Sequence, residues 1–202
     1  MSRTLETAFE EVKKTQFIIN KDARKVEVRD AFIFWTNFAG EANQYGNKAR
    51  TFNLAVPNEA VDILENEMHF HVRHEPVYVQ ENADGSQGET LYVHFINIKV
   101  NMESAYPPSI RLFTEFKGKK KRSELTIETI GMLDRIALQS CDCKFNAYTS
   151  KNYPNKCTGY LTELYAIQEP ESFYGGKYDD WMEDDSVEET LGVNIQDNSE
   201  NY

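Results

Sequence analysis

The stretch Ala31-Phe-Ile-Phe-Trp-Thr-Asn-Phe-Ala-Gly40, continued by Glu41-Ala-Asn-Gln-Tyr-Gly-Asn-Lys-Ala-Arg50 and Thr51-Phe-Asn-Leu-Ala-Val56, decides the fold. Two β-rich runs, Ala31–Phe38 and Thr51–Val56, flank a Gly/Asn-rich connection, the pattern of a long hairpin. In the second run Phe52, Leu54 and Val56 share one face and are expected in the core, while Thr51, Asn53 and Ala55 face outward. The first run is apolar on both faces, with Phe32 and Phe34 alternating with Ile33 and Trp35. A strand with a core face and an aromatic second face has something flat to cover. A further layer of the same protein is the commoner answer. Here, however, the aromatics stand among cations and amides: Trp35, Asn37, Phe38, Asn43, Tyr45, Lys48 and Arg50. Stacking surface interleaved with positive charge suits a single-stranded nucleic acid, which offers a π-face at every base and a phosphate at every linkage.

Outward from this hairpin, Leu5, Ala8, Phe9 and Val12 recur at helical spacing, so Thr4 to Lys14 is expected to be a short amphipathic helix capped by Thr4. Phe17–Ile19 is a short apolar run, and a turn at Asn20-Lys-Asp-Ala23 precedes a strand expected over Lys25–Phe38. After Pro57-Asn58 comes a helix with Ala60, Val61, Leu64 and Met68 as its buried stripe. Extended runs follow at Phe70–Val79, Leu91–Val100 and Ile110–Phe116, the last leading into a basic loop, Lys117-Gly-Lys-Lys-Lys-Arg122. Ile127, Ile130, Leu133 and Ala137 predict a second helix over Thr126–Ala137, and strands at Lys144–Asn152 and Gly159–Ile167 close the domain. Five or six antiparallel strands split by single helices, with no repeated βαβ unit, point to a mainly β, OB-fold-like Greek-key barrel with one or two packed helices.

At 202 residues the chain suffices for one well-buried core, and 40% hydrophobic with 12% aromatic residues is a folded soluble composition. No apolar run approaches the ~20 residues that span a bilayer, and the N-terminus has no signal core, so a cytoplasmic protein without membrane contact is expected. Three cysteines, two of them as Cys141-Asp-Cys143, fit a reducing compartment. The net charge of −11 is segregated: residues 169–202 hold eleven acids and Lys177, a net of −10, which leaves −1 for the body. The expected organisation is an N-terminal helix and arm over 1–24, the barrel over 25–168, and an acidic tail over 169–202 that has too little apolar content to fold alone.

The order of parts resembles the single-stranded-DNA-binding proteins of tailed bacteriophages. The resemblance rests on Asn37-Phe-Ala-Gly40, Gly46-Asn-Lys-Ala-Arg-Thr-Phe52, the Pro-Asn-Glu-Ala60 helix start, Gly131-Met-Leu-Asp134 and Gly159-Tyr-Leu-Thr-Glu-Leu-Tyr165. It implies an OB barrel that binds and protects exposed strands during replication, recombination and repair. It also implies a tail that recruits phage or host replication proteins.

From the residues themselves, bases are expected to stack on Trp35, Tyr45 and Tyr148, with Asn37 nearby. Phosphates are expected at Lys48, Arg50, Arg111, Lys117, Lys119, Lys120, Lys121, Arg122, Lys144 and Lys151. Whether Trp35 packs in the core or stacks outside is open at this point, as is the choice between DNA and RNA. In the tail Asp179, Asp180, Glu183, Asp184 and Asp185, with Phe173, Tyr174, Tyr178, Trp181 and Tyr202, form a polyanion with aromatic punctuation, suited to docking partners and to occupying a basic groove. The Cys-x-Cys pair with a lone Cys157 matches no common zinc spacing, and no phosphate loop, nucleophile elbow or His-Glu-x-x-His is present. No metal, cofactor or small-molecule substrate is therefore expected, and an enzyme is the weaker class. The alternative is a protein-interaction module of a viral replication or recombination complex.

Overall fold

The computed structural model describes residues 3–42, 44, 46–81, 87–116 and 119–169. Ten strands lie in one sheet: β1 Gln16–Asn20, β2 Lys25–Arg29, β3 Ile33–Asn37, β4 Thr51–Val56, β5 Arg73–Glu81, β6 Gln87–Lys99, β7 Ser109–Phe116, β8 Lys119–Glu124, β9 Leu138–Thr149 and β10 Cys157–Gln168. Their hydrogen-bonded order is β1-β2-β9-β10-β6-β4-β3, with β5 added to β6 and the β7–β8 hairpin added to β10.

The path from β2 round to β3 begins and ends on neighbouring pieces of chain. β2 and β3 were expected as one strand over Lys25–Phe38, but Asp30 takes a left-handed conformation (φ 49°) and breaks it. Across the break the Ala31 N–H donates to the Cys141 carbonyl of β9 (2.6 Å), and the Phe32 carbonyl accepts from the Ala55 N–H of β4 (3.0 Å). Three residues thus join the two sides of the barrel where no ladder closes it. This is the mainly β, partly open Greek-key architecture of an OB-type barrel.

β10 is the strand that organises the other side. It runs antiparallel to β9 along its whole length, while its opposite edge lies parallel first to β6, at Gly159 and Tyr160, and then to β7, from Glu163 to Ile167. The expectation of five or six purely antiparallel strands is corrected on both counts. The added strands β1, β5, β7 and β8 extend the barrel's edges, and local sequence pattern does not reveal which neighbour a strand takes. A Cβ at Gly159 would stand 2.6 Å from Ile98 Cδ1 and 3.3 Å from the rings of Phe70 and Phe145, so glycine permits the close approach of β10 to β6.

The interior holds Val26, Val28, Leu54, Ile96, Ile98, Phe145, Leu161 and Leu164, with Phe38 stacked on Phe52 at 5.5 Å. Each fully buried side chain of this size contributes about 1.5–3 kcal/mol relative to exposure. Helix α2 (Asn58–Asp62), continued by a π-helical turn Ile63–Glu67, adds Ala60, Leu64 and Met68 to the same core. A second cluster lies on the outside of the barrel. There α1 (Arg3–Glu11) buries Leu5 and Ala8 against Phe34, Ala55, Val77, Val93 and Phe95. Ala55 and Asn53 do point out of the barrel as expected, but they are buried there: Ala55 belongs to the α1 cluster, and the Asn53 amide is met by Asn97.

Two further expectations are corrected. The basic loop after Phe116 is a strand from Lys119: β8 pairs antiparallel with β7 from Arg111↔Glu124 to Phe116↔Lys119. An edge strand of lysines is a stable arrangement, because charge along the free edge opposes pairing with another chain. The helix expected over Thr126–Ala137 is instead a turn followed by a short 3-10 helix, Ile130–Asp134. There Thr129 Oγ1 accepts from the Thr126 N–H at 2.9 Å and caps the turn, while β-branched Ile127, Thr129 and Ile130 and the glycine at 131 weaken a longer helix. Among the described residues no helix is long and apolar enough to cross a membrane.

Candidate nucleic-acid interface

The registers place one outward row across seven strands: Asn20, Lys25, Asn146, Tyr160, Lys99, Thr51 and Asn37 are successive cross-strand partners. None of the seven is aliphatic, whereas the rows facing inward are almost entirely apolar. Partners across a sheet lie ~4.8 Å apart, so Lys25 and Lys99 stand roughly 14 Å apart with Asn146 and Tyr160 between them. The Lys99 ammonium lies 5.8 Å from the centre of the Tyr160 ring, and the Tyr160 ring meets Tyr148 edge-on at 6.2 Å. On the other side of the row Asn53 and Asn97 bond to each other (3.2 Å) and lead to Trp35.

Trp35 and Tyr148 flank the row and both are open to solvent, 48% and 57% exposed. Trp35 is held in a left-handed conformation (φ 46°) at the irregularity where β3 slips against β4 between Phe34 and Asn37. A non-glycine residue there costs about 1–3 kcal/mol, which its edge-on contacts with Phe34 (4.9 Å) and Phe95 (5.6 Å) help to offset. The ring is thus fixed at the edges of its neighbours and open to solvent over about half its area. This answers the open choice at Trp35: it is surface, while Phe38 and Phe52 are core.

The connection from β3 to β4 is built by side chains that the sequence singled out for other reasons. Asn37 spends its amide inside the loop, donating from Nδ2 to the carbonyls of Glu41 (3.0 Å) and Ala49 (3.1 Å) and accepting from the Glu41 N–H (2.9 Å). It positions the loop, and little of it remains for a ligand. Arg50 lies across Gly40, its carbonyl accepting from the Val100 N–H, its guanidinium 3.8 Å from Glu103 and its Nε buried without a partner among the described residues. Gly40 has φ +71°, and a Cβ on it would stand 3.2 Å from the Arg50 side chain, so glycine serves both the turn and the arginine. Lys48 is exposed on this loop, and Tyr45 lies outside the described residues. The motifs around residues 37–40 and 131–134 meet in space. The Asp134 carboxylate accepts the N–H groups of Phe38 (2.9 Å) and Ala39 (2.8 Å), and Gly131 lets the 3-10 helix approach Ala39.

The remaining predicted residues fall elsewhere. Lys144 is paired with Glu163 (3.2 Å), and that hydrogen bond raises the lysine's pKa and lowers the glutamate's; the charge is partly spent. Arg111 donates to Tyr165 Oη (2.9 Å) and lies over that ring, on β7. Lys119, Lys120, Lys121 and Arg122 are exposed on β8, two strands from β10, and Lys117 lies outside the described residues. Lys151 is exposed in the β9–β10 connection beside Tyr153, whose ring lies 6.0 Å from the Lys156 ammonium. The acidic residues and aromatics of 170–202 lie outside the described residues. Sequence reasoning missed Lys25, Asn97, Lys99, Asn146 and Tyr160. A signal existed for Asn97 and Lys99, which follow Leu91, Val93 and Phe95 on one strand face with two polar side chains.

Among the described residues no three His, Cys, Asp or Glu side chains are grouped to hold a metal ion. His74 and His94 bond through their Nδ1 atoms at 2.7 Å, too close for both to ligate one ion, and burial followed by the neighbouring His74 lowers the pKa of His94. The three thiols are buried. Burial pushes Cys143 up to about 12, and Cys141 is also raised well above its ordinary value.

No protein-family model matches the chain, and no curated protein matches it by sequence. Among solved structures it is similar to the single-stranded DNA-binding protein from bacteriophage Enc34 in complex with ssDNA, at 10% identity and a TM-score of 0.38, covering 75% of this chain and 90% of that one. It is similar also to a C-terminal truncation of that phage protein, at 11% identity and a TM-score of 0.36, covering 73% and 87%.

Proposed function

We propose that the protein binds single-stranded DNA without sequence preference and protects it. The observation that carries this reading is the outward row from Asn20 to Asn37, a continuous polar and aromatic track across the barrel with Trp35 and Tyr148 exposed on its flanks. Bases stack on Trp35, Tyr148 and Tyr160, and every base offers the π-face that such stacking needs. Phosphates meet Lys25 and Lys99 within the track and Lys48, Lys151 and Lys156 on the loops beside it. Asn146 and Thr51 donate and accept without imposing one base, which suits sequence-independent binding, while Asn37 holds the loop at the end of the row.

The biological setting in this reading is phage DNA replication, recombination and repair. The acidic segment 169–202 recruits replication proteins and competes with DNA for the basic surface, through Asp179, Asp180, Trp181, Glu183, Asp184, Asp185 and Tyr202. The protein acts as a binder with no turnover. The test is fluorescence anisotropy of a labelled oligo-dT strand against a duplex of equal length, at low and moderate salt, with the full chain and with a chain ending at Ile167. Tight, salt-sensitive binding to the single strand that strengthens without the tail is expected. Equal affinity for both ligands in both chains would refute the reading and leave the protein-interaction alternative.

A further inference from the structure

Beyond the barrel face, β10 carries the outer surface onward. After Tyr160 its outward residues lie no longer beside β6 but beside β7, where Tyr165 is the cross-strand partner of Arg111. The rings of Phe113 and Tyr165 lie nearly parallel (21°) with centres 6.5 Å apart, and the Arg111 guanidinium lies 5.3 Å above Tyr165. Phe113 and Tyr165, with Ser140, Asp142 and the 42% exposed Ile167, line a shallow basin of about 260 Å³. Asp142 faces the end of β2, where its carboxylate accepts the Asp30 N–H (2.9 Å).

Across β7 the same outer face continues to β8, with Arg122 opposite Phe113 and Lys120 opposite Glu115. Lys120 pairs loosely with Glu115 at 3.8 Å, while Lys119, Lys121 and Arg122 form no ion pair among the described residues. By sequence, residues 109–124 hold six cations against two acids. Between this basin and the track the face is neutral, because Lys144 and Glu163 are spent on each other. Two separate aromatic and cationic patches therefore share one strand.

We infer that the β7–β8 hairpin and the Phe113/Tyr165 basin form a second subsite for the same single strand, distinct from the barrel track and filled only by strands long enough to pass Lys144. This rests on the function proposed above. A base seats against Phe113 beside Arg111, and the flanking phosphates meet Arg122 and Lys120, the cations that β8 turns to this face. The track saturates with a strand of about six nucleotides, and the hairpin adds contacts only beyond that, within the roughly 4–16 nucleotides that an OB barrel engages.

The test uses the full chain with labelled oligo-dT of about six and about sixteen nucleotides. Three variants are compared with the native protein: K119Q/K120Q/K121Q/R122Q, Arg122→Gln alone, and Phe113→Ala. For the long strand the quadruple variant should lose roughly tenfold or more in affinity, and the salt slope should fall by about 0.7 for each phosphate contact removed. Phe113→Ala should also weaken the long strand, and the short strand should be unaffected by all three. Equal losses for both lengths, or no loss for either, would overturn the second subsite. Arg122→Gln leaves three guarding lysines on the edge, so a salt slope unchanged in that folded variant is as decisive. If the native protein bound neither length, the proposed function itself would fail, a result distinct from failure of the subsite.

Discussion

Asp134 offers the sharpest test of how this fold holds its β3–β4 connection. Its carboxylate accepts two backbone N–H groups, at 2.9 Å from Phe38 and 2.8 Å from Ala39, and so ties the 3-10 helix to the start of the β3–β4 connection. Hydrogen bonds to a charged acceptor contribute about 1.5–3 kcal/mol each. Asp134 is half-buried, so water recovers part of that when the side chain is removed. Asp134→Ala is therefore expected to cost about 2–3 kcal/mol, a fall in Tm of roughly 5–10 °C for a domain of this size. Urea denaturation should show a lower midpoint with an unchanged m value. Amide exchange at Phe38 and Ala39 should accelerate more than at Ile96 or Ile98 in the core, since the loss begins locally. A change below about 0.5 kcal/mol, in the range of ordinary surface substitutions, would refute the reasoning. So would slowed or unaltered exchange at the two amides.

Further outcomes follow from other sites. Gly159→Ala must displace Ile98 or the flanking rings and is expected to cost about 1–3 kcal/mol by thermal melting, with no cost if the strands separate freely. Trp35→Ala and Tyr148→Ala should each weaken single-strand binding by about 1–3 kcal/mol; Tyr148→Ala should leave the melting temperature nearly unchanged, whereas Trp35→Ala should also lower it, because that ring packs on Phe34 and Phe95. The folded protein holds the pKa of His94 below its ordinary 6.5, so the unfolded chain takes up the proton first as pH falls. The stability from a neutral His94 is complete above pH 6.5 and declines as pH falls through that value; His94→Asn should flatten the dependence measured by urea midpoints from pH 7.5 to 5. Cys141 and Cys143 should resist a disulfide reagent in the native protein at pH 8 and react on unfolding, since burial raises both. Fast native labelling of all three thiols would contradict that burial.

Alternation along single strands was enough to determine much of this protein. Phe52, Leu54 and Val56 are buried as their spacing requires, α1 buries Leu5 and Ala8 as its period requires, and the hairpin from β3 to β4 is where the Gly/Asn-rich connection put it. Such patterns are legible because burial acts on each side chain separately, with a period set by the backbone. The candidate interface was legible in part, since Trp35 and Tyr148 stand on the surface as exposed aromatic area. Tertiary structure alone decided the rest. Lys25, Asn146, Tyr160 and Lys99 lie in four strands up to 135 positions apart, and only register makes them one row. The break at Asp30, the parallel seat of β10 on β6 and β7, and the pairing of Lys144 with Glu163 depend likewise on which strands become neighbours. That choice is made by the closing of the whole barrel, where glycine at 159 and a carboxylate at 134 answer to atoms far away in the chain rather than to their own neighbours.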